Sequence, residues 1–240
     1  QTMNLDKIRK RKLPRVGGCF ATALDGCFGC EDAALREPYA NHPQNRGILF
    51  HSDEEVIRFA KRANREGLQI EMHAIGDAAF DQAVMAIEAA LKEFPRQDHR
   101  HGIIHACLPT EEGLQKCADL GIQIPLQPAF LMWDLEPVDF LHSILGNRAE
   151  RISPLRKMTD MGIVLSGGSD APCTLPDPIA GIHAACNHYV PEQSLTIPEA
   201  LKLFTCNAAW TTFDEKERGT LETGRIADMV ILNRNPLTMK

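Results

Sequence analysis

The sequence predicts an α/β fold built on a parallel sheet, and three observations carry this prediction. Short, nearly continuous apolar runs alternate with longer segments of helical periodicity. The apolar runs are rich in β-branched residues, which is typical of strands buried on both faces. Helix start and stop signals lie between them. This alternation favours either an open doubly wound sheet or a (β/α)8 TIM barrel.

Five segments have the character of strands: 15–24, 68–73, 102–107, 122–127 and 163–167. A barrel needs eight strands. If the fold is a barrel, we therefore expect the chain to hold a partial one, about strands 4 to 8, without the first strands.

Helix signals separate these strands. Ser52 and Glu55 have the form of a capping box, and Gly67 follows as a stop signal. An apolar stripe runs from 83 to 94, and further helices are expected from Thr110 to Gly121, after 153–154 as far as 162, and from 196 toward 210.

The last segment is set apart from this pattern. Residues 224–232 read GRIADMVIL, which predicts a turn followed by a strand at 229–232. We expect this strand to belong to a separate small sheet, which divides the chain into domains at 1–222 and 223–240.

Composition excludes several classes of protein. The 240 residues are 44% hydrophobic and 24% charged, which is ordinary for a globular domain. The net charge of −6 argues against a nucleic-acid partner. No apolar run is long enough to cross a bilayer and no signal peptide is visible, so we expect a cytoplasmic protein with no membrane partner. A basic cluster is interpreted as a solvated segment; it consists of Lys7, Arg9, Lys10, Arg11, Lys12 and Arg15.

The eight cysteines are scattered, mostly within apolar stretches, which indicates buried thiols in a reducing compartment. Cys27 and Cys30 form the one C-x-x-C motif. Because no second pair follows at a suitable spacing, the sequence does not favour a structural zinc site there.

Polar residues end three of the predicted strands. His73 and His105 end the second and third strands, and Asp170 follows the fifth. Functional groups gather at the carboxyl ends of parallel strands, so these side chains are expected to converge. Two imidazoles and a carboxylate suit a divalent cation, zinc first, with manganese or iron as alternatives. Each residue taken alone is more often a hydrogen-bonded structural group, and the metal hypothesis depends on all three occurring at matching positions.

The other histidines do not fit this site. His99 and His101 form an H-x-H motif at the entrance of their strand, roughly 13 Å from His105 at the usual rise per residue, and are interpreted as surface or structural residues. The sequence places His183 and His188 on different faces of one helix and gives no partner for His42 and His51. Asp77 is expected to be a helix N-cap. No phosphate-binding glycine motif is present.

Four ordered motifs resemble the amidohydrolase superfamily, and within it the YtcJ-like group. They begin at His73 (HAIGD), Ile103 (IIHA), Gly168 (GSDAP) and Gly224 (GRIADM). The resemblance implies a (β/α)8 barrel fused to a small β-sandwich, in a metal-dependent hydrolase of C–N bonds such as amides and cyclic amides. It implies His73, His105 and Asp170 as metal ligands, with His105 polarising the substrate carbonyl and Asp170 as general acid/base.

This sequence departs from the family in two respects. No H-x-H lies before residue 16, and Ala21 occupies the position of the bridging lysine relative to Asp25 and Gly26. Cys19 and Cys27 are the candidates for a replacement ligand. We therefore expect a C-terminal piece of a longer enzyme, inactive alone, that takes a small amide-type substrate. Open barrel edges would favour a homo-oligomer. The alternative is a degenerate barrel that acts as a non-catalytic binding or regulatory module.

Overall fold

A computed structural model describes residues 5–10 and 15–238. Five strands are present: β1 (Arg15–Ala23), β2 (Gln69–Ala74), β3 (Gly102–His105), β4 (Ile124–Leu126) and β5 (Leu165–Gly167). The α-helices are α1 (Leu5–Lys10), α2 (Asp53–Arg65), α3 (Asp77–Glu93), α4 (Glu111–Leu120), α5 (Val138–Leu145), α6 (Leu155–Asp160), α7 (Pro178–Cys186), α8 (Ile197–Leu203) and α9 (Cys206–Thr211). The protein is thus α/β, and each of the five predicted strand segments contains a strand.

All the strand pairings are parallel and follow chain order. β1 pairs with β2, β2 with β3, and β4 with β5. A parallel bridge between Gly102 and Gln123 continues the sheet from β3 to β4. A doubly wound sheet requires a reversal of strand order, and no reversal occurs in the part of the chain described.

The helices begin and end where local chemistry predicts. The Ser52 side chain accepts from the Glu55 amide and the Glu55 carboxylate accepts in return, so the capping box of α2 is confirmed. Thr110 caps α4, which ends at Gly121 with a φ of 70°. A φ in this range is favourable for glycine because it lacks a Cβ atom.

The larger of two hydrophobic clusters in the described residues lies between the sheet and the helices. Strand β2 is buried along its whole length, as predicted for a strand covered on both faces. Helix α3 contributes the largest group of buried apolar side chains, including Phe80 and Ile87. The core fixes the strand ends that carry the candidate site.

The structure corrects two predictions about local elements. The segment from 196 forms two helices, α8 and α9, because the chain turns at Phe204 and Thr205. The N-cap of α3 is Gly76, so Asp77 is the first helical residue, and its carboxylate accepts from the Arg36 amide at 2.7 Å. Helix α5 was not among the predicted helices, and α7 was predicted only as the helix that carries His183.

The prediction of a strand at 229–232 is wrong. These residues have no regular secondary structure and form no strand pairing with the described chain, and Val230 and Ile231 are 83% and 97% exposed. A strand needs a hydrogen-bonded neighbour, which the described residues do not supply here.

Part of the basic cluster, Arg11 and Lys12, lies outside the described residues. Among the helices that are described, none is both long and apolar enough to cross a membrane.

Candidate metal centre

Three side chains from three neighbouring strands meet at the carboxyl edge of the sheet. They are Cys19 in β1, His73 in β2 and His105 at the end of β3. One ligand atom from each lies within 4.8 Å of the other two. The imidazole rings of His73 and His105 meet edge to face, with centroids 4.6 Å apart. The predicted convergence of the two histidines is therefore present in the structure.

Cys19 lies between the two imidazoles. Its Sγ is 3.4 Å from His73 Nδ1 and 3.4 Å from His105 Nε2. The pairing of β1 with β2 shifts register between Gly18 and Ala23, so Cys19 lies in a bulged segment. Gly17 permits the bulge, since its φ is 109° and a Cβ atom there would meet the carbonyl oxygen of Glu71.

The far side of the His73 ring is held by the loop after β1. His73 Nε2 lies 3.1 Å from the Gly26 carbonyl oxygen and 3.3 Å from Asp25 Oδ1. The Asp25 carboxylate is fully buried and accepts from the backbone amides of Ala34, Ile75 and Gly76. Asp25 thus fixes both the loop and the orientation of His73.

The far side of the His105 ring faces an amide. His105 Nδ1 lies 2.6 Å from Gln127 Oε1, so this ring nitrogen carries the hydrogen. In a neutral imidazole the lone pair then lies on Nε2, which faces Cys19. Ligating histidines commonly show this arrangement, in which the second nitrogen donates to a fixed acceptor.

The backbone is strained at the site. His105 has a φ of 73° and Ala106 a φ of 46°, both in the left-handed region that residues other than glycine seldom adopt. Asp170 also has a left-handed φ of 54°. Strain of this kind concentrates at functional sites, and here it falls on two of the three residues that the sequence singled out.

The two histidines have opposite pKa shifts. Burial lowers the pKa of His73, but hydrogen bonds and charge interactions with Asp25 and Cys19 outweigh it and raise that pKa to about 10. Burial and the neighbouring charge of His73 lower the pKa of His105 to about 3. A cation bound by His73 Nδ1 and the Cys19 sulfur would displace the proton that these two atoms share.

This donor set fits a divalent metal of the zinc class. Zinc prefers thiolate and imidazole ligands in four-coordinate sites, and catalytic zinc usually has three protein ligands with one open position. The orientation of both rings supports the fit, because their outer nitrogens contact fixed acceptors while their inner nitrogens face the thiol.

Asp170 does not join this group of ligand atoms within the described residues. It follows β5 at the same edge of the sheet and is partly exposed. Burial raises the pKa of the Cys173 thiol, and the Asp170 charge and, more weakly, Cys19 raise it further.

His99 and His101 are structural, as predicted. His101 is fully buried, and its ring contacts the Ile70 amide and Asn64 Oδ1. His99 Nδ1 accepts from the His101 amide.

Two predictions about other histidines are wrong. His42 has a partner, because its Nδ1 lies 2.5 Å from Glu31 Oε2. His188 lies beyond the end of α7 and does not share that helix with His183; its buried ring contacts the carbonyl oxygens of Ile152 and Ser153.

Sequence reasoning missed the role of one residue and left the choice of another undecided. The role of Asp25 was overlooked because it served only to locate the missing lysine, although an Asp-Gly pair directly after a strand was a usable signal. Cys19 was one of two replacement candidates, and the bulge that brings it to the histidines has no sequence signature beyond Gly17 and Gly18.

The protein is therefore an α/β protein with a candidate metal centre. A thiol and two imidazoles form this centre at the carboxyl edge of the parallel sheet. The sequence profile of the amidohydrolase family matches residues 18–240. The chain belongs to the amidohydrolase family.

Individual relatives support this assignment. YtcJ of Bacillus subtilis strain 168, which carries the name of an amidohydrolase, is 32% identical over 245 residues, covering 98% of this chain and 45% of that protein. An N-substituted formamide deformylase from Arthrobacter pascens is 29% identical over 92% of this chain and 41% of its own. The crystal structure of an uncharacterized metal-dependent hydrolase from Pyrococcus furiosus aligns with a TM-score of 0.81 and 32% identity, covering 97% of this chain and 49% of that one. The chain thus spans less than half the length of these relatives.

Proposed function

We propose that the protein of which this chain forms a part is a metal-dependent hydrolase of C–N bonds. The observation that carries the proposal is the meeting of Cys19, His73 and His105, with both rings oriented by acceptors on their outer sides. Zinc is the proposed cation, with manganese or iron as alternatives, and Cys19 takes the place of the bridging lysine of the family.

The five strands are proposed to be strands 4 to 8 of a (β/α)8 barrel. Their sequential parallel order supports this placement. Residues 1–222 would form the barrel part and residues 223–240 a segment of a small β-sandwich.

A bound divalent cation supplies Lewis acidity and activates water for attack on a carbonyl carbon. Asp170 is proposed to accept the proton of the attacking water and pass it to the leaving nitrogen. Its position after β5, at the edge of the sheet where the three ligands converge, supports this role. His105 is proposed to bind the cation through Nε2 and to help polarise the substrate carbonyl only by way of that cation, because its Nδ1 hydrogen faces Gln127. Asp25 is proposed to hold His73 in place.

The substrate is proposed to be a small amide with an aromatic or apolar substituent. Phe130 stacks on His105 with ring centroids 6.0 Å apart, and Trp133 stacks on Phe130 at 5.0 Å. These rings form an apolar wall beside the candidate metal centre. The relative from Arthrobacter pascens is named for N-substituted formamides, and such a substituent would suit this wall.

The test is hydrolysis of N-substituted formamides and cyclic amides by the zinc-loaded full-length protein. We expect Asp170→Asn to lower kcat by about 10²–10⁴-fold while zinc content and the circular dichroism spectrum stay unchanged. Asp119→Asn, at an exposed position on α4, is the matched control. Unchanged turnover in Asp170→Asn would remove Asp170 from the mechanism. A full-length protein that binds no transition metal would instead support the binding module.

We also propose that the chain self-associates. β1 and β5 are the outer strands of the sheet in the described residues, and unpaired strand edges favour pairing with another chain.

A further inference from the structure

The loop after β1 carries a second cluster of metal-ligating side chains. The sulfur atoms of Cys27 and Cys30 and a carboxylate oxygen of Asp32 all lie within 4.8 Å of one another. Only the C-x-x-C motif is visible in the sequence, and the fold adds Asp32 to it as a third ligand. Both thiols are free, and Cys30 is exposed to solvent.

The loop backbone holds this cluster in a tight turn. The Cys27 carbonyl accepts from the amides of Asp32 and Ala33, at 3.3 and 3.2 Å. The Cys27 amide donates to Asp32 Oδ1 at 2.7 Å, which draws the carboxylate over the turn. Gly26 leaves room for that carboxylate, since a Cβ atom at this position would meet it.

The surroundings of the cluster are acidic. Glu136 Oε1 accepts from the Gly29 amide at 2.7 Å, so a second carboxylate contacts the same loop. Within residues 15–238 neither Asp32 nor Glu136 forms an ion pair with a lysine or arginine. The loop's two thiols and the Asp32 carboxylate, with the Glu136 carboxylate beside them, thus have no cationic partner in this range, an arrangement that a divalent cation would neutralise.

The same surroundings affect the pKa of the Cys27 thiol. Burial raises the pKa of Cys27 to about 12; the Cys30 backbone opposes this through a hydrogen bond, and the Cys30 and Glu136 side chains add to the rise. A bound cation reverses this balance because it stabilises the thiolate directly, and binding would release the thiol protons to solvent.

We propose that Cys27, Cys30 and Asp32 form a second site for a thiophilic divalent cation of the zinc class. Two thiolates and a carboxylate are ligands that zinc accepts in four-coordinate sites. This site is distinct from the Cys19–His73–His105 centre and does not depend on the proposed hydrolase activity.

The second site has a direct structural connection to the first. Gly26, which precedes Cys27, offers the carbonyl oxygen that lies 3.1 Å from His73 Nε2. A cation bound by the loop would restrain this carbonyl and, through it, the orientation of His73. Its role is therefore structural support of the first centre, while the first centre contains the proposed catalytic cation.

The test is a Co²⁺ titration of the 240-residue chain carrying Cys19→Ser, in buffer kept reducing with a phosphine. Because the first centre then lacks its thiol, any thiolate-to-Co²⁺ charge-transfer absorption must come from another cysteine. We expect this absorption to saturate at one equivalent of Co²⁺. We expect it to disappear when Cys27→Ser or Cys30→Ser is added, and to persist with the control Cys206→Ser. Circular dichroism verifies that each variant is folded.

Two results would overturn the proposal. One is a folded Cys19→Ser chain without charge-transfer absorption at saturating Co²⁺. The other is an absorption that Cys27→Ser and Cys30→Ser leave unchanged. Asp32→Asn provides a graded check, with an expected loss of Co²⁺ affinity of at least about tenfold and no loss of the absorption at saturation.

Discussion

The Sγ of Cys19 lies 3.4 Å from Nδ1 of His73, although 54 residues separate them in the chain. The contact depends on the bulge in β1, which directs the thiol toward the ends of β2 and β3. It brings a thiol between two imidazoles at the carboxyl edge of the sheet. Several residues orient this trio of side chains.

Gln127 is the first of these residues. Its Oε1 lies 2.6 Å from His105 Nδ1 and fixes the ring so that Nε2 faces Cys19. We expect Gln127→Leu to weaken zinc binding at the first centre by about 10–100-fold, because the ring loses its acceptor. Zinc affinity is measured by chelator competition in the Cys27→Ser/Cys30→Ser background, with Gln115→Leu on the exposed face of α4 as control. Equal affinities in the two variants would show that Gln127 does not orient the ligand.

His101 predicts how stability depends on pH. Burial lowers its pKa from 6.5 to about 2 in the folded chain. Below pH 6.5 the unfolded chain therefore binds a proton that the folded chain does not. The contribution of His101 to stability is fully present above pH 6.5 and is lost as pH falls, at up to about 1.4 kcal/mol per pH unit.

This prediction is measured by urea unfolding between pH 7 and pH 5. We expect His101→Gln to lower stability at pH 7, because the contacts with the Ile70 amide and Asn64 are disturbed, and to reduce the pH slope by about one proton. His51→Gln, at an exposed histidine, should keep the wild-type slope. A slope that His101→Gln does not change would mean that other groups govern acid unfolding.

Arg100 lies shortly before β3 and contacts Trp210 in α9 and Glu215 beyond that helix. Its guanidinium is buried, pairs with both carboxylate oxygens of Glu215, and lies 4.4 Å from the ring centre of Trp210 and 4.0 Å from that of Phe213. We expect Arg100→Lys to cost about 2 kcal/mol of unfolding free energy, because an ammonium group cannot make the bidentate pair or stack between two rings. Arg65→Lys, at an exposed ion pair with Glu93, should change stability by less than about 0.5 kcal/mol.

Self-association is tested by multi-angle light scattering of the chain at micromolar concentration. We expect a species larger than a monomer, held by the strand edges. Phe20 in β1 is 93% exposed, so Phe20→Lys should weaken association without disturbing the core, whereas Leu135→Lys, away from both edges, should not. A wild-type chain that is monomeric under these conditions contradicts the prediction.

Much of the fold could be predicted from the sequence because its signals are local. The apolar runs at 68–73 and 102–107 located β2 and β3, and Ser52 and Thr110 marked helix starts with their own side chains. His73 and His105 followed from the rule that functional groups gather at the carboxyl ends of parallel strands.

The remaining features depend on contacts between distant segments. Asp25 acquires its role only when the backbone amides of Ala34, Ile75 and Gly76 surround it. The prediction of a strand at 229–232 failed for the same reason, since its apolar residues are suited to a strand but no neighbour among residues 5–10 and 15–238 pairs with them. The hydrophobic periodicity of a segment indicates whether it suits a helix or a strand. It does not identify the segments that will pair with it.

The most direct test of the central claim is X-ray absorption spectroscopy at the zinc edge. The sample is the zinc-loaded chain carrying Cys27→Ser and Cys30→Ser, so that only the first centre contributes a thiolate. If Cys19, His73 and His105 bind the zinc ion, we expect one sulfur ligand at about 2.3 Å and two imidazole nitrogens at about 2.0–2.1 Å. We expect the sulfur ligand to be lost in Cys19→Ser. A zinc environment with no sulfur, or with no imidazole, would contradict it.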